Sequence, residues 1–337
     1  MFSGFMKNNS TGYDITFICQ KGKDHFAEPI LNALEKKYSI QYLFPVHKRE
    51  YSHRQVQGRV VWVEWALKFA RLVSKKRWNN KRVVVRLHRW EIDTEYMNAI
   101  QWNHIDTVLF VNNHFENLFR RKITTLVRTV TIPNAVSTDD YPLNPPHNTK
   151  KLLAYSLTFN PIKGYVELVR FFSKLVAHSD AFELTLMAGK PKKQKEIECL
   201  AEIKKNIQQV DMEKHIHIVE RENIGTLAGD RKNVHAALRR HDAIISFSQL
   251  ESFHYAFAEG LLCGLQGFYN AWKNPLIKAF WDPWGYDSEE AMIEGILAWS
   301  RLPLQERERI ARKNREYVIA RFGPETIGEA FERELFG

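Results

Sequence analysis

Two carboxylates, Glu251 and Glu259, bracket the stretch of this chain best suited to chemistry. An apolar strand runs from Asp242 to Ser246, polar residues follow, and an apolar helical pattern carries Glu259 and closes at Gly264. A strand–loop–helix of this kind aims backbone N–H groups at the helix N-terminus, where an anion such as a diphosphate is held. Glu251 falls in the loop, beside whatever that anion is attached to. Glu259 follows about two turns on, just before Gly260, where it would take a pair of sugar hydroxyls. Carboxylates repel phosphate, so two of them around a phosphate seat imply a ligand that also brings hydroxyl donors. A nucleotide sugar meets that description. Two glutamates at this spacing also occur by chance on solvated helices, and only the strand–loop–helix setting and the trailing Cys263-Gly264 set these apart.

Alternating strands and helices must position this loop. In the first half, strands are expected at 14–19, 41–44, 60–63, 83–87, 107–111 and 129–132, with helices around 26–37, 65–75, 93–101 and 113–120. Residues 133–148, rich in Pro, Asn and Asp, read as a linker. The alternation restarts with strands at 152–156, 183–188, 215–219 and 243–246, and with helices from Gly164 to about Ala177, near 234–240, and over the Glu259 segment. Residues 304–322, highly charged, read as a surface helix, and Pro324 opens a last helix ending near Leu335. The pattern predicts an α/β fold of two doubly wound, Rossmann-like domains with parallel sheets, facing each other across a ligand cleft at the carboxyl ends of the strands. The expected domains are 1–145 and 146–322, with helix 323–337 returning to the first.

A length of 337 residues suits two domains, and 44% hydrophobic content is that of a chain with a sizeable core rather than a disordered one. Cys19, Cys199 and Cys263 form neither a disulfide framework nor a C-x-x-C metal signature, which fits a reducing cytosol. The opening Met1–Asn9 is too short and polar for a signal peptide, and no apolar run approaches the ~20 residues that span a bilayer. The net charge of +10 is one-sided: residues 1–150 hold 23 Lys/Arg against 13 Asp/Glu, while residues 151–337 hold 26 of each. Something anionic therefore meets the first half. The densest basic run is Lys75, Lys76, Arg77, Trp78, Lys81 and Arg82, with Arg86 and Arg89 beyond it, and a second lies at 47–54. A solvated face, an interfacial contact with anionic lipid and a nucleic-acid track all fit cations interleaved with Trp78 and Tyr51.

Four stretches, in order, resemble those of the retaining GT-B glycosyltransferases, most closely glycosyltransferase family 4. Ile132-Pro133-Asn134-Ala135-Val136 is similar to the family's linker motif, Pro161-Ile162-Lys163-Gly164 to its Pro-Glu-Lys-Gly loop, and Met187-Ala188-Gly189 to a strand end. Ser248 to Gly264 resembles its Glu-x7-Glu signature. The resemblance covers the second half well and the first half in outline. It implies that Lys163 contacts the donor diphosphate, that Glu259 holds the donor ribose and Glu251 the donor sugar, and that Ser252, Phe253 and His254 line the phosphate loop. It also implies that His88, just past the strand 83–87, faces the donor sugar or the reacting region. The family's diphosphate arginine falls on Thr158 here, with Leu157 before it, so another cation must serve: Lys190 and Arg221 are the candidates. Glycines of the family's phosphate loop are replaced by Ser252 and His254. No Asp-x-Asp occurs, which argues against the metal-dependent GT-A class.

The function expected from these readings is transfer of a hexose from a nucleotide sugar, UDP- or GDP-linked, to a lipid-linked or polysaccharide acceptor. Retention of configuration and no metal or other cofactor are expected. The enzyme would be cytoplasmic, with its basic half meeting an anionic acceptor or the inner membrane face. Two alternatives stay open: a phage-type DNA glucosyltransferase with the basic half as DNA cradle, and a non-catalytic sugar-nucleotide binder.

Overall fold

A computed structural model describes residues 12–144, 146–147, 150–222 and 227–337; the expectation for Met1–Asn9 and part of the expected linker lie outside them. The chain divides into two compact units, one of residues up to Ala135 together with Pro324–Gly337, the other Val136–Gly323.

In the first unit, β1 (Ile15–Ile18), β2 (Ile40–Leu43), β3 (Val60–Glu64), β4 (Arg82–Leu87), β5 (Thr107–Phe110) and β6 (Arg128–Thr131) form one sheet in the order β2-β1-β3-β4-β5-β6. Every pairing is parallel. Helices α1 (Glu28–Leu34), α2 (Lys68–Ser74), α3 (Tyr96–Ala99) and α4 (Asn113–Lys122) connect them. The helix expected over 93–101 is broken into a 3-10 turn at Arg89–Asp93 and the single turn of α3. Strands β1, β3 and β5 are buried from end to end, as befits a sheet covered on both faces.

The second unit contains β7 (Lys151–Thr158), α5 (Tyr165–His178), β8 (Glu183–Gly189), α6 (Gln194–Gln209), β9 (Ile216–Arg221), α7 (Leu227–Leu238), β10 (Ala243–Ser246), α8 (Tyr255–Leu262) and β11 (Gln266–Asn270). It continues through α9 (Lys278–Trp281), β12 (Gly285–Tyr286), α10 (Glu289–Ser300) and α11 (Leu304–Phe322). Its sheet runs β12-β11-β10-β7-β8-β9, again all parallel. Helix α11 is not merely a surface helix: Ala311, Asn314, Val318 and Phe322 form a buried row. Helix α12 (Pro324–Phe336) belongs to the first unit, where Ile327, Phe331 and Leu335 join Phe17, Leu31 and Trp62 in the core. The segment following Ala135 is held by the second unit, because Val136 N–H donates to Phe322 O at 2.8 Å and Asn144 N–H to Cys263 O at 3.0 Å.

Each sheet has a place where the chain leaves two neighbouring strands in opposite directions: β1 and β3 in the first, β7 and β10 in the second. Loops diverging from such a pair open a crevice at the carboxyl ends of the strands.

Candidate functional site

The loops after β7 and β10 meet at the switch point of the second sheet. Asn160 caps the turn Pro161–Lys163, its side chain accepting from Ile162 N–H at 3.2 Å. Gly164 follows at φ +66°, and a Cβ there would collide with the Phe247 carbonyl oxygen, so only glycine lets the two loops lie together. Gln249 N–H donates to Ile162 O at 2.8 Å, and Ser248 Oγ lies 3.3 Å from the same carbonyl. This stitching brings Lys163 Nζ to 2.5 Å from Glu251 Oε1, which also accepts from Ser248 Oγ at 2.9 Å. Burial alone would raise the Glu251 carboxyl, but the Lys163 cation and these hydrogen bonds hold it below the usual carboxylate range.

Glu259 lies on α8, where Tyr155 Oη–H donates to its Oε2. Gly260, beside it, packs directly on Ile244 of β10. His254 caps α8 in the left-handed region at φ +77°, the position where the resemblance has a glycine. Its Nε2 lies 2.6 Å from Ser246 Oγ, and burial lowers its pKa to about 4. His254 is therefore neutral at pH 7, and the cations at this crevice are lysine and arginine.

Of the two cations nominated in place of the family's arginine, Arg221 is buried and Lys190 is not. Arg221, the last residue of β9, is buried and donates from Nη2 to Ser156 O at 2.5 Å, reaching across β8 to the end of β7. Ser156 Oγ accepts from Tyr165 Oη–H at 2.8 Å, and Thr158 is half-buried, paired with Gly189 beyond an irregularity in β7. Lys190, by contrast, is exposed and 3.4 Å from Glu222. Phe253 must be corrected: its side chain is buried against Trp281 and Phe322, with centroids 5.4 and 5.1 Å away, so it is core rather than donor contact. Ser252 remains on the loop, half-buried.

In the first unit, His88 stands just past β4, buried, with Nε2 2.7 Å from Glu64 Oε1 at the end of β3. Arg86 Nη1 lies 3.3 Å from the same oxygen. The indole of Trp65 stacks on His88 at 4.0 Å, and the Lys23 ammonium lies 5.9 and 5.3 Å from the ring centres of Trp65 and Trp90. These residues leave β1, β3 and β4, at this sheet's own switch point. Glu91 accepts from the N–H groups of Ala66 and His88; burial drives its carboxyl well above the usual range.

The basic surface expected over 75–89 divides in three. Lys75, Lys76 and Arg77 are exposed, and Lys76 Nζ lies 4.5 Å over half-buried Trp78. Lys81 donates to the carbonyls of Gln57 and Gly58, and Arg82 to that of Gly337, so both serve the fold locally. Arg86 is a correction: fully buried and committed to Glu64 and Asn134, it is no surface residue. Residues 75–81 precede β4 whereas His88 and half-buried Arg89 follow it, so the strand's length, about 20 Å, separates the basic cluster from His88. The second basic run joins that cluster, His53 lying 5.5 Å from Trp78.

Glu64, Trp65, Tyr155 and Tyr165, which contact His88, Glu259 and Ser156, were not singled out from the sequence. Only Glu64 left a signal, a carboxylate ending the apolar strand Val60-Val-Trp-Val. Among the described residues no group of three or more His, Cys, Asp or Glu side chains is placed to hold a metal ion, and no helix is long and apolar enough to cross a membrane.

No family model matches the sequence, and no curated protein is similar enough in sequence to count as a relative. Solved structures do match. Sucrose-phosphate synthase from Thermosynechococcus elongatus is 14% identical with a TM-score of 0.69, over 96% of this chain and 98% of that one. OtsA matches at 10% identity and TM-score 0.71 over 96% and 99%, and Anabaena HepE, in complex with UDP and glucose, at 14% and 0.66 over 95% and 98%. The likeness shows a shared fold of two Rossmann-like α/β domains, that of the GT-B glycosyltransferases.

Proposed function

We propose that this protein is a GT-B hexosyltransferase that takes a hexose from a nucleoside-diphosphate sugar. One observation carries the reading: Lys163 pairs with Glu251, Arg221 reaches the end of β7 and Tyr155 of β7 holds Glu259, so side chains from three separate segments surround the carboxyl end of β7. A diphosphate would engage Lys163, the backbone at the start of α8, and Arg221 in the role left open by Thr158. Glu259, oriented by Tyr155, would hold the ribose hydroxyls. Glu251 would hold hydroxyls of the sugar once its lysine turns to the phosphate. UDP is the preferred nucleotide, since the HepE neighbour binds UDP with glucose.

The motif resemblance to family 4 supports retention. A same-face displacement follows, with the departing diphosphate taking the acceptor proton and positive side chains stabilising its charge in place of a metal. Water must be excluded meanwhile. The acceptor is lipid-linked or polysaccharide. Exposed Lys75, Lys76 and Arg77, remote from His88, would meet an anionic acceptor tail or the inner membrane face and hold the enzyme peripherally in the cytoplasm. One observation favours a second reading: Lys163 is already paired with Glu251, as in a binder that never transfers.

The test is a thermal-shift series with UDP, GDP and ADP and their sugars, followed by release of free nucleotide in the presence of acceptors. A shift with UDP and UDP-hexose plus acceptor-dependent release is the expected result. Binding without release on any acceptor selects the binder. No shift with any nucleotide at millimolar concentration overturns both.

A further inference from the structure

The interior of the first unit holds a buried ionic network whose members all lie close to one imidazole. Glu64 and Arg86 are fully buried neighbours, directly opposite in the β3–β4 register. Glu64 accepts three hydrogen bonds: from Arg86 Nη1 at 3.3 Å and His88 Nε2 at 2.7 Å on Oε1, and from Trp62 Nε1 at 3.2 Å on Oε2. Arg86 is held in turn by the Phe26 carbonyl at 3.2 Å, by Asn134 Oδ1 and by the Phe331 ring, 5.3 Å away. Burying such a pair is costly, and apolar residues of similar volume usually stabilise a fold at least as well. Its position beside a strand-end histidine at the switch point gives it a different use.

We propose that Glu64, locked by Arg86 and Trp62, is the positioning residue that fixes His88 in the Nε2–H tautomer and leaves Nδ1 as the acceptor nitrogen of the ring. With a guanidinium and an indole N–H directed at it, Glu64 is an ionised, acceptor-only group. Burial opposes that ionisation, but Arg86 and His88 overcome it and hold the carboxyl below its usual range. The hydrogen in the 2.7 Å contact therefore belongs to Nε2 of His88. Burial lowers the pKa of His88 and Glu64 only partly compensates, so the ring is neutral at pH 7 and Nδ1 is unprotonated. Trp65 and Phe26 flank the ring, with centroids 4.0 and 5.2 Å away, and resist its turning over.

The chemical consequence is specific. An Nδ1 lone pair accepts a hydroxyl hydrogen and repels an anion, so His88 is matched to a sugar O–H rather than to phosphate or carboxylate. This role rests on the proposed glycosyl transfer, but the tautomer does not, and it is measured without substrate.

The experiment is nitrogen-15 NMR of the histidine rings in the full chain at neutral pH, with His88→Gln identifying the resonance. The expected spectrum has Nε2 of His88 protonated and Nδ1 unprotonated. An Nδ1–H tautomer or an imidazolium overturns the proposal, whatever the protein transfers. The pair variant Glu64→Leu with Arg86→Met supplies the second arm, because it removes the acceptor of the Nε2–H without leaving a buried charge unpaired. The Nε2–H preference is expected to be lost, with turnover falling about tenfold or more. Retention of the Nε2–H tautomer in the folded pair variant also overturns it. Should that variant fail to fold, the wild-type spectrum still decides.

Discussion

The two units place charge at their switch points in opposite ways. In the second, Lys163 and Glu251 are partly open to solvent and sit on loops, where an arriving ligand can separate them. In the first, Glu64 and Arg86 are sealed on strands, and only the edge of His88 reaches outward. A charge pair that exchanges partners must remain accessible, while one that fixes a tautomer must not exchange at all. The same parallel-sheet geometry thus carries an accessible charge pair in one unit and a sealed one in the other.

The contrast can be broken most severely at Arg86. Arg86→Met leaves the Glu64 carboxylate buried without its cation and is expected to cost roughly 3–5 kcal/mol of stability in denaturant unfolding. Lys163→Met should cost less than about 1 kcal/mol by the same measurement, because its pair is partly exposed. Its damage should appear instead in calorimetry with UDP, as affinity lost by roughly 30-fold or more. Equal stability losses in the two variants would erase the distinction.

A pH series comes next. His254 has its pKa lowered to about 4 from 6.5, so between those values the unfolded chain binds more protons than the folded one. Stability from this group is complete above pH 6.5 and is lost as pH falls toward 4, by up to about 3 kcal/mol. His254→Asn, which tolerates the left-handed backbone, should flatten that part of the wild-type curve. An unchanged slope would show that His254 is not buried neutral.

Gly164→Ala should cost roughly 2 kcal/mol, because the added Cβ meets the Phe247 carbonyl at a positive φ. It should weaken UDP binding in parallel, since the two loops must then part. The smallest effect is expected for Tyr155→Phe, which removes the hydroxyl that orients Glu259. A loss of about 1 kcal/mol, roughly fivefold in UDP affinity, is expected by calorimetry.

What the sequence disclosed follows the same line. The loop Pro161–Gly164 and the segment from β10 through α8 were legible because their signals are local: a glycine after a turn, an apolar strand, a helix with a carboxylate at a fixed offset. Arg86 was misread because a cation near a basic run looks solvated, while its partners Glu64 and Asn134 lie far away in the chain. Arg221 could be nominated but not placed, since its approach to Ser156 depends on the strand order of the second sheet. Phe253 was assigned by its neighbours in sequence, whereas packing against Trp281 and Phe322 decides its role. Helix α10 and strand β11 escaped notice for want of a strong amphipathic or alternating pattern, whereas α6 carries one in Leu200, Ile203 and Ile207 and was legible.

Helix α12 has a consequence for synthesis. The core of the first unit is incomplete without Ile327, Phe331 and Leu335, yet the entire second unit lies between them and β6 in the chain. On the ribosome, the unit begun first must wait with part of its apolar surface bare while the inserted unit emerges and folds. A released chain ending just before Pro324 would hold a complete second unit and a first unit with part of its core bare.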